Sequence, residues 1–277
     1  MAAVNLPVAL VIVVVTTALA IAAMLFVRRG APDGSYFHDG DRAAGVFGVL
    51  ATGFAVLLGF VVFLAFTSFD QARTGAEAEA QITAEQLETA QLLPTAVRAD
   101  LTADLVCYAR SVAGVQWDRM EAGTLGEELN PWGLKMVVTL LKADPQTPAE
   151  QAAYQKWLDE RSAREEARND RIHGAVGVIP APLWIVLFFI SGLIFAYMLF
   201  FADSGERRLV QGMMMGVVVG GIVSMLLLLQ FLNNPFHGGI GGLRPVAMER
   251  TLTVIDQQLT AMGVHVDPPC DARGVAL

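Results

Sequence analysis

Four long stretches without a charged side chain constrain the fold of this chain more than any other feature. They cover residues 6–27, 43–68, 174–202 and 209–236. Each reaches the roughly 20 residues that a helix needs to cross the hydrocarbon core of a bilayer. In lipid a spanning segment must satisfy its own backbone hydrogen bonds, and for a single apolar segment this requires a helix. The sequence therefore predicts an all-α membrane protein with four transmembrane helices.

Charged residues are scarce only inside these stretches. They make up 17% of the chain, against about 25% in average soluble proteins. The net charge is −8, so the chain has no basic character of the kind that binds nucleic acid. The lipid bilayer is therefore the expected partner, and nucleic acid is not.

The first stretch is interpreted as a retained transmembrane helix rather than a signal peptide. A secretory signal carries its positive charges in front of a shorter apolar core. Here Met1–Asn5 carries no positive side chain, and Arg28 and Arg29 follow the stretch instead.

The stretches divide the chain into four parts. We expect the first two transmembrane helices and a short loop in residues 1–68, and a helical extramembrane region in residues 69–173. The third and fourth transmembrane helices are expected in residues 174–236, and a C-terminal helix with a tail in residues 237–277. Residues 70–93 are rich in Ala, Glu and Gln, which favours helix. The segment Thr147-Pro148-Ala149-Glu150 matches a capping box with proline at the first helical position.

Apolar residues at helical spacing predict three more helices. A stripe at steps of four and three is formed by Val97, Leu101, Leu105, Tyr108, Val112 and Val115. The apolar side of a short helix after Pro131 is predicted to hold Leu134, Val137, Val138 and Leu141. One face of a last helix after Pro245 carries Met248, Leu252, Ile255, Leu259 and Met262. We expect the tail beyond Gly263 to be disordered.

The sequence leaves open which side of the membrane each part faces. Four spans put the middle region and the C-terminal tail on one side and the two short loops on the other. Lys and Arg near the span ends set orientation. The short loops hold Arg28, Arg29, Arg42, Arg207 and Arg208. The opposite side holds Arg73, Arg161, Arg164, Arg168, Arg171 and Arg244. Five arginines on one side and six on the other do not favour either orientation.

The two cysteines, Cys107 and Cys270, fall on the same side of the membrane. They pair if that side is oxidising and remain thiols if it is cytoplasmic. Neither has a partner at the spacing of a metal site, so no metal site is expected.

The chain carries none of the common catalytic or phosphate-binding motifs, such as HExxH, GxxxxGK[ST], GxSxG or CxxC. We therefore expect neither enzyme activity nor a cofactor. No Asp, Glu, Lys, Arg or His lies deep in a span, although proton-coupled pumps usually place such groups on their path. A pore that is gated by an apolar constriction needs none.

The fourth span contains small residues at every fourth position, namely Gly212, Gly216, Gly220 and Ser224. Small residues at this spacing let two helix backbones approach closely. We interpret them as a helix-packing surface, within or between subunits. The alternative is that they are lipid-facing, because transmembrane helices are rich in glycine.

The second span places Thr52, Val56 and Phe60 on one face, at steps of four. Periodicity alone favours packing or lipid contact for such a face. The same span contains Leu58-Gly59-Phe60-x-Val62-x-Leu64-x-x-Thr67, followed by Phe69.

This pattern resembles the pore-lining helix of the bestrophin anion channels, and Asn234-Pro235-Phe236 resembles the segment after their last span. Nearly the whole chain resembles a bacterial family of four-span membrane proteins catalogued as bestrophin-like. The residues that carry this wider resemblance are Ala44-Gly45-Val46-Phe47, Tyr108-Ala109-Arg110, Trp117, Met120, Thr147-Pro148-Ala149-Glu150, Pro235-Phe236 and Leu243-Arg244.

The resemblance implies a multi-pass protein of the bacterial plasma membrane that forms a homo-oligomer, a pentamer in bestrophins, with the middle region in the cytoplasm. It implies a pore neck at Thr52, Val56 and Phe60. Bestrophins bind calcium through acidic residues directly after Asn-Pro-Phe. Here His237, Gly238 and Gly239 occupy those positions, and the next carboxylate along the chain is Glu249, so calcium binding there is not expected.

Two functional hypotheses follow. The first is a bestrophin-like, oligomeric, anion-conducting channel with an apolar neck on the second span. The second is a membrane-anchored helical scaffold or interaction protein that does not conduct.

Overall fold

The computed structural model describes residues 6–124 and 130–277, apart from the side chain of Val176. Its α-helices are α1 (Leu6–Arg28), α2 (Gly40–Ala90), α3 (Thr95–Ser111), α4 (Trp117–Glu121), α5 (Pro131–Leu140), α6 (Pro148–His173), α7 (Ala181–Phe200), α8 (Arg208–Leu232) and α9 (Val246–Ala261). A π-helical turn joins α3 to α4, and a 3₁₀ turn follows α6. The described residues contain no strand, only an isolated bridge between Cys270 and Ala276. The predicted all-α class is confirmed.

The chain forms two compact units. The membrane unit comprises the described residues up to Thr67 together with Val178–Asn233, and the helical unit comprises the described residues of Ser68–Gly177 together with Asn234–Leu277. The helix α2 contributes to both units, because nothing between Phe66 and Arg73 interrupts it. The second span and the Ala- and Glu-rich segment that follows it are therefore one helix.

In the membrane unit, α1, α2, α7 and α8 are long and apolar enough to cross a membrane. Of the most apolar 18 residues of each helix, only 11–22% are buried inside the chain. Most of the surface of these helices is therefore open to lipid or to other subunits. The helix α1 packs mainly on α8. Near the short loops, the Phe37 ring lies 5.2 Å from the Tyr197 ring and 4.9 Å from the Phe201 ring. Tyrosine, here Tyr197, is enriched at membrane–water interfaces.

The helical unit has its own apolar core, around Leu87, Leu101, Leu105, Tyr108 and Trp157. The predicted start of α6 is confirmed. The Thr147 hydroxyl accepts a hydrogen bond from the Glu150 backbone N–H at 3.2 Å, and the Glu150 carboxylate accepts one from the Thr147 N–H at 3.0 Å.

The predicted apolar side of α5 was wrong. Leu134, Val138 and Leu141 are exposed, and the helix buries Trp132 and Met136 instead. Apolar residues occur all around α5, so periodicity could not select the packed side. The packed side is set by the Trp132 indole, whose N–H donates to the Gly274 carbonyl at 2.8 Å.

The C-terminal tail, expected to be disordered, is packed against the helical unit. Cys270 is disulfide-bonded to Cys107 of α3, and the Arg110 guanidinium donates to the Cys270 carbonyl at 3.4 Å. Gly274 has φ +77° and leaves no room for a Cβ beside the Ser111 backbone, which favours glycine at this position. These long-range contacts hold a segment whose position at the end of the chain suggested disorder.

Candidate functional site: an open face of α2 and a buried polar cluster

The predicted neck residues lie on the side of α2 that does not pack within the membrane unit. The packed side consists of Phe54, Leu58, Val61 and Ala65, all buried. On the opposite side, Thr52 is exposed, Val56 is 69% exposed and Phe60 is 60% exposed. We call Thr52, Val56 and Phe60 the open face of α2. In a single chain this face is available to lipid, to another subunit or to a water-filled path.

The glycines of α8 face α1 of the same chain. A Cβ placed on Gly216 would lie 3.1 Å from Ile21 Cδ1, and one on Gly220 would lie 3.2 Å from Thr17 Oγ1. A Cβ on Gly212 would also contact Ile21, at 3.4 Å. Ser224 is exposed, and its hydroxyl donates to the Gly220 carbonyl at 2.7 Å. The three glycines therefore lie at a close helix contact inside one subunit.

Replacing Gly216 with Leu is expected to destabilise the membrane unit, because overpacking a tight contact costs about 1–3 kcal/mol. The measurements are the thermal unfolding midpoint and the yield of monodisperse protein in detergent. Gly221→Leu is the matched control, since nothing lies within 4 Å of a Cβ at that position of α8. Equal effects of the two substitutions would contradict the contact.

The helical unit contains a fully buried ion pair. Arg171 of α6 and Glu79 of α2 are both 0% exposed. Arg171 Nε donates to Glu79 Oε2 at 2.5 Å, and Arg171 Nη2 donates to Glu79 Oε1 at 3.1 Å. The Tyr108 hydroxyl donates to Glu79 Oε1 at 2.6 Å, and Gln116 Oε1 accepts from Arg171 Nη2 at 3.2 Å. Nearly every polar group of the pair therefore has a partner.

A second buried arginine extends this group. Arg164 Nη1 donates to Gln86 Oε1 at 2.5 Å, and its guanidinium lies 4.3 Å from the centre of the Tyr108 ring. We call Glu79, Gln86, Tyr108, Gln116, Arg164 and Arg171 the buried polar cluster. Gly75 lets α2 approach α6 at this point, because a Cβ there would lie 2.7 Å from the Ala167 carbonyl oxygen and 2.7 Å from the Arg171 backbone nitrogen.

The environment fixes the protonation states in this cluster. Burial and the neighbouring Glu79 carboxylate raise the pKa of Tyr108 well above its usual value, so the phenol stays a hydrogen-bond donor. Burial opposes the charge on Arg171, but the attraction and hydrogen bonds of Glu79 outweigh it and raise the pKa of Arg171. The Arg171 guanidinium therefore keeps its charge at neutral pH.

Sequence reasoning missed the buried polar cluster, because it considered Arg164 and Arg171 only as positive charges near the end of a span. A signal was nevertheless present. The buried face of α6 follows steps of four and three through Ala153, Trp157, Glu160, Arg164, Ala167 and Arg171. Three members of this stripe are charged, so a search for apolar residues does not detect it.

Residues quoted for the family resemblance meet beside this cluster. The Trp117 and Phe236 rings pack edge to face with their centres 5.2 Å apart. Met120 lies in the same apolar group as these rings, and its sulfur is 3.1 Å from Arg171 Nη1. The Leu243 N–H donates to the Pro235 carbonyl at 2.7 Å. Segments that are far apart in the sequence thus form one packed region of the helical unit.

A carboxylate from another helix lies beside the loop that follows Phe236. Glu121 of α4 lies against Gly238, and burial lowers the pKa of the adjacent His237. A calcium ion takes six to eight oxygen ligands, usually with several carboxylates. Within the described residues, no group of three or more His, Cys, Asp or Glu side chains could hold a metal ion.

Calcium is therefore expected to leave the thermal unfolding midpoint unchanged, because only a ligand that binds the folded state stabilises it. The measurement compares purified protein in excess calcium and in excess chelator, with magnesium as the control for ionic strength. A rise in the midpoint that is specific to calcium would contradict this expectation.

Comparison with known proteins shows similarity over most of the chain. The family model of the bestrophin-like domain matches residues 10–241. A crystal structure of a bacterial bestrophin homologue from Klebsiella pneumoniae matches with a TM-score of 0.63 and 16% identity, covering 93% of this chain and 98% of that one. A single-substitution variant of that homologue matches with a TM-score of 0.66 and 13% identity, covering 91% and 99%. At these identities the solved structures show a shared fold. A search of the curated proteins found no match.

Proposed function

Since the chain belongs to the bestrophin-like family, we propose that it is an oligomeric ion channel of the bacterial plasma membrane, with the open face of α2 as the wall of its conduction path. Bestrophin homologues are ion channels. The resemblance of the second span to bestrophin anion channels favours anions as the conducted species. The proposed activity needs neither catalysis nor a cofactor.

The observation that carries this proposal is the exposure of Val56 and Phe60 on the side of α2 opposite its packed side. If several copies surround an axis, each of these residues repeats as a ring. A ring of Phe60 side chains impedes ions by dewetting, because an ion would have to shed water with no polar group in its place. Thr52, two turns away, would form a polar ring on the same wall.

Exposed apolar surface on the helical unit supports association of several copies. Leu134, Val138 and Leu141 of α5 are 59%, 50% and 73% exposed. A contiguous apolar face of this kind is typical of a protein–protein contact. The family resemblance implies five copies around the axis.

The alternative is a scaffold that does not conduct. Its support is the same exposed apolar surface, which a dimer or a partner protein would also cover. The two functions differ in subunit number, because a pore on one axis needs several α2 helices whereas a scaffold can be a monomer or dimer.

The test is reconstitution into liposomes, together with native mass measurement of the detergent-purified protein. A channel is expected to give a closed homo-oligomer of three or more subunits and chloride flux above that of protein-free liposomes. Sodium and potassium gradients in parallel determine the sign of the permeant ion. A monomer or dimer that is silent with chloride, nitrate, bicarbonate, sodium and potassium would favour the scaffold.

A further inference from the structure

We propose that the helical unit and the C-terminal tail lie on the oxidising, extracytoplasmic side of the membrane, with the two short loops in the cytoplasm. This placement is opposite to the one that the resemblance to bestrophins implies. It does not depend on whether the protein conducts ions. Two independent features, one in each unit, carry it.

The first feature is the disulfide between Cys107 and Cys270. Both residues are buried, and their Cα atoms are 5.8 Å apart, within the usual 4.4–6.8 Å range. The tail is also held on the far side of Cys270, where the Gly274 carbonyl accepts from the Trp132 indole. Structural disulfides persist in oxidising compartments and are rare in the cytoplasm. The disulfide therefore favours the oxidising side of the membrane for the helical unit.

The second feature is the concentration of arginine at the ends of the short loops. These loops connect α1 to α2 and α7 to α8, and the residues concerned are Arg28, Arg29, Arg42, Arg207 and Arg208. The Arg28 guanidinium also donates to the Ser204 carbonyl at 2.7 Å, which joins the two loops. Lys and Arg in short loops direct those loops to the cytoplasm, and the Asp and Glu residues beside them contribute little.

The arginine count on the opposite side also changes, because the segment that holds most of these arginines is too long for its charges to set orientation. Arg164 and Arg171 are buried at 1% and 0% exposure, and Arg171 is paired with Glu79. They belong to the segment Ser68–Gly177, whose length far exceeds the roughly 60 residues above which loop charges cease to set orientation. Arg73, Arg161 and Arg168 lie in the same segment. Only Arg244 of the earlier six remains, so the count favours short loops in the cytoplasm.

Disulfide formation in that compartment needs a two-electron oxidant, and a protein disulfide oxidase supplies it by exchange. The thiolate of one cysteine attacks the oxidase disulfide and forms a mixed disulfide. The second thiolate then attacks the mixed disulfide, forms the Cys107–Cys270 bond and displaces the oxidase sulfur. The oxidase leaves as a dithiol, carrying the two electrons and the two thiol protons.

Thiol trapping in cells that express the full chain tests the disulfide. Free thiols are blocked with N-ethylmaleimide, and disulfides are then reduced and labelled with a maleimide-polyethylene glycol. The chain has two cysteines, so we expect a gel shift of two additions after reduction and none when reduction is omitted. Protein that never shifts has free thiols in the cell and would overturn the inference.

Site-directed labelling tests the placement itself without disturbing the disulfide. Lys142→Cys adds a thiol on the helical unit and Glu206→Cys adds one in a short loop; both positions are exposed. In intact spheroplasts treated with a membrane-impermeant maleimide, Lys142→Cys is expected to label above the wild-type level. Glu206→Cys is expected to label only after permeabilisation. The reverse pattern would overturn the inference, whatever the flux measurements show.

Discussion

Replacement of Arg171 by Met is expected to lower the free energy of unfolding by about 3–5 kcal/mol, the usual cost of breaking a buried ion pair. The substitution leaves the Glu79 carboxylate at 0% exposure without its charged partner. The measurement is urea unfolding in mild detergent, followed by the fluorescence of Trp117, Trp132 and Trp157, which are buried in the helical unit.

Arg73→Met is the matched control. Arg73 pairs with Glu77 on the exposed side of α2, and an exposed pair of this kind contributes at most about 1 kcal/mol. Adding Glu79→Leu to Arg171→Met should restore part of the lost stability, because the unpaired charge is then absent. Similar losses for Arg171→Met and Arg73→Met would show that the pair is solvated in the folded protein.

Replacement of Phe60 by Ala is expected to raise ion flux through the proposed pore, because it removes most of the bulk of the apolar ring. Val56→Ala should act in the same direction but more weakly, since it lies about one turn away on the same face and removes less volume. The measurements are liposome flux and bilayer recordings at equal amounts of reconstituted protein.

Phe63→Ala is the control for Phe60→Ala. Phe63 is about as exposed as Phe60, but three residues further along the helix its side chain is rotated about 60° away. A packed Phe60 predicts a different result, namely a silent protein that is destabilised by roughly 3–5 kcal/mol if association buries the ring. Equal flux changes for Phe60→Ala and Phe63→Ala would contradict the neck at Phe60.

Local sequence signals predicted those elements whose cause is itself local. The four spans follow from uninterrupted apolar length, and the start of α6 follows from Thr147 and Glu150 three residues apart. The face shared by Thr52, Val56 and Phe60 also follows from helical spacing. That this face is open could not be predicted, because every side of the second span is apolar and only packing shows which side is used.

The elements that the sequence did not predict depend on partners that are distant in the chain. Leu134 and Val138 are as apolar as Met136, so the sequence of α5 does not indicate which side is covered. The C-terminal tail contacts the Trp132 side through the Gly274 carbonyl, and that side is buried. Nothing in the local sequence indicates that Arg164 and Arg171 are buried, because their partners Gln86 and Glu79 belong to α2.

The sequence by itself determined that this chain is helical and crosses a membrane, because an apolar stretch of about 20 residues favours lipid and a single segment in lipid pairs its backbone groups only as a helix. Tertiary structure alone decided that Arg171 meets Glu79, 92 positions away, and that Cys270 meets Cys107. A buried charge or thiol has no local preference for one distant partner. Its partner is selected when packing brings two helices, or a helix and a tail, into contact and removes water from both side chains.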